Sequence, residues 1–395
     1  MDQIISEIIR FTGAAEDRLF PTTYGRTALL LALKSVPVRG REVILPAFTC
    51  PIAVLGAVIE SGGIPVFVDI NLKNLNFDLN DLRRKITKST AAIISHHYFG
   101  MANPEVAING HMARKHGLIH IEDCTHSLGA QFQDCPVGKI GDLAVYSFSK
   151  NMISPQGGLL QCNSDGLIEK VHTLYNQNST GRITGLLANL EFLTFFCRLL
   201  IVRKLFQSVN TRFKPNSLPY RVPPLLYMPF RLADIFLKTQ HSSGRFYYVS
   251  KENVLKDPST VVIRMTDFQK HIIRSRIGLL HQMNAKRRDI AERLNEIVPP
   301  FFLQEKAQRS VYTNYVFCTY DKARVLSLAK KASILFTETW PARGKYWKEQ
   351  NTKNVERLKR EVLLLGISPY WSEKEIREVE NFFYKNKDLF FNPPG

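Results

Sequence analysis

The chain has little cysteine and little negative charge. Its 395 residues include six cysteines, which are dispersed, form no Cys-x-x-Cys pair and do not cluster with histidine. This spacing excludes a disulfide framework and the usual structural zinc motifs, and the start shows no secretory leader, so a reducing cytoplasm is expected. Acidic residues number 35 against 53 lysines and arginines, a formal charge of +18. Nucleic acid, anionic lipid and phosphorylated substrates all suit that charge equally well.

Long uninterrupted apolar runs are also missing. Residues 182–251 carry eleven basic residues against two acidic ones and include the most apolar segment, 186–206. Charges interrupt that segment, so it makes a poor transmembrane helix, which requires ~20 mostly apolar residues. Glu191, Thr194 and Arg198 fall on one helical stripe opposite a broad apolar face. Two interpretations stay open: a helix lying in the membrane interface, or a helix packed against the large domain or a partner subunit.

What is present is an α/β pattern. From about residue 23 to about residue 165, strand-like runs alternate with helix-like stretches, which predicts a mostly parallel sheet; beyond about residue 264 the pattern predicts a smaller α+β domain. The predicted strands are 42–45, 65–69, 91–96, 118–122, 143–148, 158–162 and 312–320, and the later helices are 267–298, 322–331 and 373–383. The predicted divisions are an N-terminal arm (1–22), a large domain (23–181), a basic apolar insert within it (182–251), and an interdomain helix with a small C-terminal domain (252–395).

Lys150 is the most informative residue. It follows the strand-like run 141–149 and precedes a loop that ends in Gly157 and Gly158. An amine at the end of a buried strand is poorly solvated, which favours the neutral form that can form a Schiff base. Taken alone, Lys150 is equally an ordinary surface lysine.

Two further groups occur at strand ends, where a doubly wound sheet binds its ligands. Asp123 follows strand 118–122 and can pair with a protonated heterocyclic nitrogen. The segment 24–29 opens a helix whose backbone N–H groups, with Thr27 and Arg26, can hold a phosphate, although ordinary helix capping explains it too. A phosphate site, a carboxylate and a Schiff-base lysine are together what pyridoxal phosphate requires.

Several segments then resemble one known family. They are 26–29 (Arg-Thr-Ala-Leu), 46–49, 65–70, 97–100 (His-Tyr-Phe-Gly), 121–123, 147–151 with the glycines at 157–158, 264–266 with Gln269, and 367–375. Over most of its length the chain resembles the DegT/DnrJ/StrS family of pyridoxal-phosphate-dependent sugar aminotransferases of fold type I. The resemblance implies a large domain with a seven-stranded, mostly parallel sheet.

The resemblance also assigns roles. It implies that Lys150 holds the cofactor, that Asp123 pairs with the pyridine nitrogen, and that Thr27, with Arg26, contacts the phosphate. His126 would lie beside the 3-hydroxyl of the cofactor, although a structural, hydrogen-bonded histidine remains the alternative. Related dehydrating enzymes have histidine in place of the lysine, so a lysine here favours transamination.

The chain departs from the family at four places. Cys50 replaces an aromatic residue that stacks on the cofactor in many members. Ser147 stands three residues before the lysine instead of five, so Ser147 and Ser149 are both candidates for the phosphate contact. Val262 replaces an asparagine that reaches the partner subunit, and residues 155–156 (Pro-Gln) replace Gly-Glu.

The resemblance implies a homodimer with its active site at the interface. The expected reaction moves an amino group, from L-glutamate, onto a keto sugar carried by a nucleotide or a lipid, in the biosynthesis of cell-surface polysaccharide or glycoconjugate. No metal is expected. No nucleic-acid partner is expected either, because the sequence contains no recognised nucleic-acid-binding motif. Two alternatives stay open: another pyridoxal-phosphate reaction on a non-sugar ketone, or a non-catalytic, membrane-associated member of the fold. The expected location is the cytoplasm, at the inner face of the membrane if residues 186–206 bind lipid.

Overall fold

The structure is a computed structural model that describes residues 3–152, 154, 157–177, 264–299, 301, 308–338 and 352–391. The predicted insert 182–251, its segment 186–206, residues 155–156 and Val262 lie outside these residues, so the predictions about them remain predictions. Within the described part of the chain, no helix combines the length and the apolarity needed to cross a membrane.

The strands are short and the helices regular. The strands are β1 Leu19–Thr22, β2 Glu42–Pro46, β3 Ile64–Val68, β4 Thr90–His96, β5 Ile119–Asp123, β6 Gln131–Phe132, β7 Cys135–Pro136, β8 Leu143–Ser147, β9 Gly158–Cys162, β10 Gln308–Arg309, β11 Asn314–Thr319, β12 Phe336–Glu338, β13 Val362–Gly366 and β14 Phe390–Phe391. The α-helices are α1 Gln3–Thr12, α2 Gly25–Ser35, α3 Gly56–Glu60, α4 Leu79–Lys85, α5 Val106–Lys115, α6 Phe148–Asn151, α7 Asp165–Gln177, α8 Asp267–Ile277, α9 Leu280–Asn295, α10 Lys322–Ala332, α11 Lys353–Glu361 and α12 Glu373–Lys385.

The large domain is built on one seven-stranded sheet in the order β1-β9-β8-β5-β4-β2-β3. Pairs β2–β3, β2–β4, β4–β5 and β5–β8 are parallel, while β9 runs antiparallel to both β8 and β1. The central strand β4 is buried at every position. Helices on both faces explain this burial, since a parallel sheet must be covered on two sides. The prediction of an α/β domain with a mostly parallel sheet is confirmed.

The smaller C-terminal unit is an antiparallel sheet in the order β12-β13-β11-β14. Its core is aromatic: Phe317 meets Phe336, Phe383 and Phe390 edge to face, with ring centroids 4.9–5.4 Å apart. Edge-to-face contacts of this kind add to the burial of apolar area.

The single predicted helix 267–298 is wrong, because the structure has two helices, α8 and α9, in its place. Gly278 and Leu279 form the turn between them, and Gly278 is the C-cap of α8. Glycine has a low helix propensity, which suits this break. Helix α8 begins with a full capping box formed by Thr266 and Gln269.

A second difference concerns the lysine. Strand β8 ends at Ser147, and Lys150 belongs to the four-residue helix α6, where its side chain is exposed. Lys150 therefore lies three residues beyond the end of the strand and is exposed in the single chain, whereas the sequence predicts a poorly solvated amine at the strand end. The N–H of Phe148 donates to the carbonyl of Gly157 (3.0 Å), and the last two residues of the predicted run, Phe148 and Ser149, begin the helix.

Candidate active site

The carboxyl ends of β4, β5 and β8 and the first turn of α2 surround one open cleft of about 150 Å³. Its lining includes Arg26, Cys50, Asp123, His126, Ser147 and Lys150, six of the residues for which the sequence predicts a cofactor contact. Thr27 is not among the lining residues. Its backbone N–H donates to the carbonyl of Tyr24 (3.1 Å) and only 8% of the residue is exposed, so the structure gives it a capping position.

Asp123 is a buried carboxylate at the bottom of this cleft. Its Oδ2 lies 2.9 Å from Nδ1 of His96, and its Oδ1 accepts the backbone N–H of Thr125 at 3.0 Å. Burial alone would raise the pKa of Asp123, but His96, Lys150 and Thr125 hold it far below its usual range. The side chain is therefore an anion at neutral pH, and two hydrogen bonds leave acceptor capacity on a carboxylate for a further donor from the cleft.

His96 and Thr49 are site residues that the sequence reasoning did not identify. The register of the sheet pairs His96 with Asp123, and the other ring nitrogen of His96, Nε2, lies 2.8 Å from the hydroxyl of Thr49. Both are buried, at 5% and 2% exposure. The available signal was the position of His96 at the carboxyl end of a predicted strand, beside the strand that leads to Asp123.

Lys150 is also paired with a histidine. Its Nζ lies 2.9 Å from Nε2 of His126 and 3.3 Å from the hydroxyl of Thr125. Burial and the adjacent Lys150 hold the pKa of His126 well below its usual value, so the ring is neutral. The Nδ1 of His126 lies 3.4 Å from the hydroxyl of Thr313, which comes from the C-terminal part of the chain.

The amino end of α2 forms the third side of the cleft. Gly25 is the first residue of the helix, and a Cβ there would meet Cβ of Ser147 at 3.2 Å. Gly158 is packed more tightly still, because its Cβ would lie 2.4 Å from the backbone of Tyr24. These two glycines allow the helix start to approach β8 and β9, so that Gly25 and Arg26 of its first turn line the cleft.

The hydroxyls of Ser147 and Ser149 lie beside that helix start and 3.4 Å apart, so the geometry retains both as candidates. Arg26 lines the same end of the cleft, with its guanidinium carbon 4.1 Å from the ring centre of Tyr24. A helix amino end, two hydroxyls and a guanidinium together make an environment that suits a phosphate.

A buried arginine links the lysine-bearing turn to the small domain. Arg287 of α9 is 4% exposed and donates to the carbonyls of Asn151 (2.8 Å) and Ile367 (3.3 Å), and to the side chain of Asn284 (3.0 Å). Burial lowers its pKa to about 10. Because Asn151 follows Lys150, this arginine fixes the turn that carries the lysine.

Glu122 forms a separate network beside the site. It accepts from Nε2 of His97 (2.8 Å) and from the backbone N–H groups of Gly138 (2.9 Å) and Ile140 (2.8 Å). Burial would raise its pKa, but His97, His120 and the backbone N–H of Gly141 lower it to about 2. The thiol of Cys124 lies close enough to His97 and Glu122 for the three side chains to surround a metal ion. Because the hydrogen bonds above already occupy the carboxylate of Glu122, we interpret the cluster as structural.

Comparisons with known proteins agree with this geometry. The model of the DegT/DnrJ/EryC1/StrS aminotransferase family matches residues 8–188. Among curated relatives, a GDP-perosamine synthase from Vibrio cholerae is 35% identical over 156 residues, which is 39% of this chain and 42% of that protein. A UDP-N-acetyl-3-dehydro-alpha-D-glucosamine 3-aminotransferase from Acidithiobacillus ferrooxidans is 38% identical over 159 residues, 39% of this chain and 42% of that protein. The alignments thus span about two fifths of these relatives.

Solved structures resemble the chain over nearly its whole length. The aminotransferase TlmJ from Streptoalloteichus hindustanus has a TM-score of 0.71 at 17% identity and covers 98% of this chain and 90% of its own. PseC of Helicobacter pylori, described as an aminotransferase in pseudoaminic acid biosynthesis, has a TM-score of 0.69 at 18% identity, with the same coverage. At such low identity these structures show the fold, which is that of the aminotransferases that the sequence resembles.

Proposed function

We propose that the protein is a pyridoxal-phosphate-dependent aminotransferase that transfers an amino group from L-glutamate to a nucleotide-linked keto sugar. The match of residues 8–188 to the model of the DegT/DnrJ/EryC1/StrS aminotransferase family supports this proposal. The observation that carries the proposal is the meeting of the Asp123 anion and the Lys150 amine in one cleft at the carboxyl edge of the sheet. The names of the relatives support a nucleotide sugar as the acceptor and glycan biosynthesis as the pathway.

The residues of the cleft fit pyridoxal phosphate. Asp123 would accept a hydrogen bond from the protonated pyridine nitrogen, because it is buried, anionic and still able to accept a hydrogen bond. The first turn of α2, with Ser147, Ser149 and Arg26, would hold the phosphate. Cys50 lines the cleft where an aromatic residue stacks in other family members, so the ring would meet a small thiol there.

When bound, the cofactor supplies an electron sink for the pair released as a substrate carbon loses its proton. Lys150 is the group that would remove that proton and return it to the neighbouring carbon, as a general base and then acid. Its Nζ already lies against a neutral acceptor, Nε2 of His126, which can hold the amine in place through a hydrogen bond. Asp123 keeps a positive charge on the ring nitrogen by remaining ionised.

The homodimer, the amino donor and the carrier are parts of the same proposal. Ser149 and Lys150 are exposed in a single chain, which supports a site that a second subunit covers. The reaction belongs in the cytoplasm, where nucleotide sugars and glutamate are available. Contact of residues 186–206 with the inner face of the membrane stays a prediction, and with it the choice between a nucleotide and a lipid carrier.

An absorption spectrum tests the cofactor chemistry. The purified protein with pyridoxal phosphate should show a near-visible Schiff-base band that L-glutamate converts to the pyridoxamine form. Lys150→Ala should lack the band, while Lys139→Ala, which removes an exposed lysine outside the cleft, should keep it. Absence of bound cofactor in the wild type would contradict the aminotransferase proposal and favour a non-catalytic role.

The acceptor is tested on the loaded enzyme in its pyridoxamine form. Mixing it with a UDP-linked 3-dehydro sugar, a GDP-linked keto sugar or a non-sugar ketone should restore the Schiff-base band only with an accepted substrate. Recovery with a nucleotide sugar supports the proposal. Recovery of the band with the non-sugar ketone alone would contradict the sugar substrate and indicate an aminotransferase that acts on another ketone.

A further inference from the structure

His96 lies behind the Asp123 carboxylate on the neighbouring strand. The two residues are direct partners in the parallel ladder of β4 and β5, and both side chains line the cleft. The Nδ1 of His96 lies 2.9 Å from Oδ2 of Asp123, and its Nε2 lies 2.8 Å from the hydroxyl of Thr49, which follows β2. Three residues that follow one another across the sheet thus form a continuous chain of hydrogen bonds.

The chemistry of the partners fixes the proton on the ring. An ionised carboxylate can only accept, so Nδ1 of His96 must carry a hydrogen. In the neutral ring Nε2 is then an acceptor, and the hydroxyl of Thr49 can donate to it. His96 is therefore held at both nitrogens, in one tautomer and one orientation, by residues that are themselves buried.

We propose that His96, held by Thr49, is a positioning residue that orients the Asp123 carboxylate and keeps it ionised for the protonated ring of the cofactor. This inference rests on the proposed function, because it concerns the same cofactor site. It assigns a specific role to a side chain that touches neither the substrate nor the cofactor in the proposed arrangement.

The charge on Asp123 depends strongly on this histidine. Burial raises the pKa of Asp123, and His96 is the largest of the influences that lower it. The other groups that act on or face the carboxylate are Lys150 and His126 from the cleft, Tyr98 and Cys124 behind it, and Arg26 and Cys50 on the cleft wall. In the described part of the chain, the Asp123 side chain is hydrogen-bonded by His96 and by the backbone N–H of Thr125.

The sign of the expected pH effect follows. Without the His96 donor, the pKa of Asp123 rises, and the carboxylate becomes protonated at a higher pH. A protonated Asp123 cannot stabilise a positive ring nitrogen, so cofactor affinity should be lost at a higher pH as the solution is acidified. A histidine that only fills space would, when replaced, weaken binding by the same factor at every pH.

The experiment measures non-covalent binding of pyridoxal phosphate across pH in full-length protein carrying Lys150→Ala, so that titration of a Schiff base does not contribute. Adding His96→Val should shift the acid limb of the profile, the part in which affinity falls on acidification, to higher pH by about one unit or more. His96→Asn, which retains an N–H near the position of Nδ1, should give an intermediate limb and guards against a folding defect of the valine variant.

His120→Val provides the matched control. His120 is a buried histidine of β5 whose Nε2 lies 2.7 Å from the hydroxyl of Ser95, and the histidine that contacts Asp123 is His96, so replacing His120 should leave the acid limb unchanged. Titration of the phosphate and of the free cofactor is common to all variants and cancels in the comparison. The role of His96 would be overturned if the affinity profiles of the proteins with and without His96→Val lost affinity at the same pH. It would also be overturned if His120→Val shifted the profile by the same amount as His96→Val. Failure of every protein, including the wild type, to bind the cofactor would instead overturn the proposed function.

Discussion

Two adjacent carboxylates at the end of β5 have similar partners and different tasks. Glu122 and Asp123 are both buried, and each contacts one of two consecutive histidines, His97 for Glu122 and His96 for Asp123. Both have lowered pKa values in spite of burial. A histidine–carboxylate pair with a perturbed pKa therefore does not by itself distinguish a functional residue from a structural one.

The difference lies in the remaining hydrogen-bonding capacity. Glu122 accepts from His97 and from backbone amides of the segment 138–141, which occupies its oxygens. Asp123 accepts one side-chain and one backbone hydrogen bond and lines the cleft. One carboxylate fixes a loop, and the other is held ready for a ligand. Side chains that alternate along a strand allow both tasks at neighbouring positions.

Asp123→Asn should give the largest effect on the cofactor. It removes the anion with little change in shape, and breaking a buried ion pair costs ~3–5 kcal/mol, so affinity for pyridoxal phosphate should fall on the order of 10²–10³-fold. The free energy of unfolding of the cofactor-free protein should fall at pH 7 as well, because the lowered pKa of Asp123 means that its ionised form favours the folded state, so affinity is compared per folded molecule. Cofactor titration and urea denaturation measure the two quantities, and a large loss of stability with unchanged affinity would reverse the comparison.

Glu122→Gln should lower stability without lowering cofactor affinity. A carboxylate whose pKa is about 2 in the folded chain and 4.5 when unperturbed contributes on the order of 3 kcal/mol of stability above pH 5. That contribution is lost as the pH falls from about 4.5 towards 2, because the unfolded chain binds the proton more tightly than the folded chain does. The variant should thus be less stable by up to this amount at pH 7 and should show a weaker loss of stability between pH 5 and pH 3.

The measurement is urea denaturation at pH 7, 5 and 3, with cofactor affinity measured on the same samples. Affinity per folded molecule should stay within about threefold of the wild type, because Glu122 faces the loop and not the cleft. A flat pH dependence in both proteins would show that Glu122 does not carry this stability.

The sequence predicted the fold and the central pair of residues well, for clear physical reasons. Strands that are buried on both faces are nearly continuous apolar runs, so the predicted strands 91–96 and 158–162 agree with β4 and β9 to within one residue. Asp123 and Lys150 were found because resemblance fixes positions along the chain. Short strands such as β1 and β12 were missed because few residues carry too little pattern.

Contacts between distant segments were beyond sequence reasoning. The pairing of His96 with Asp123 depends on which strands are neighbours in the sheet, and the register of β4 against β5 decides it. Arg287 was missed because its partners, Asn151 and Ile367, are 136 and 80 residues away. Thr27 was assigned to the phosphate on its position, while its local hydrogen bonds turn it towards capping.

The smallest expected effect concerns Thr313, which brings the C-terminal part of the chain to the lysine. If neutral His126 accepts the hydrogen bond of Lys150 at Nε2, its proton is on Nδ1 and faces the Thr313 hydroxyl at 3.4 Å. Thr313→Val preserves the shape and removes that acceptor, at a cost of about 1 kcal/mol, so Schiff-base formation with added pyridoxal phosphate should slow about fivefold. Stopped-flow absorbance measures the rate, and Thr313→Ser, which keeps the hydroxyl, should retain the wild-type value. Equal slowing in both variants would mean that packing, and not the tautomer of His126, determines the rate. The lysine side of the cleft would then differ from the Asp123 side, where Thr49 fixes His96.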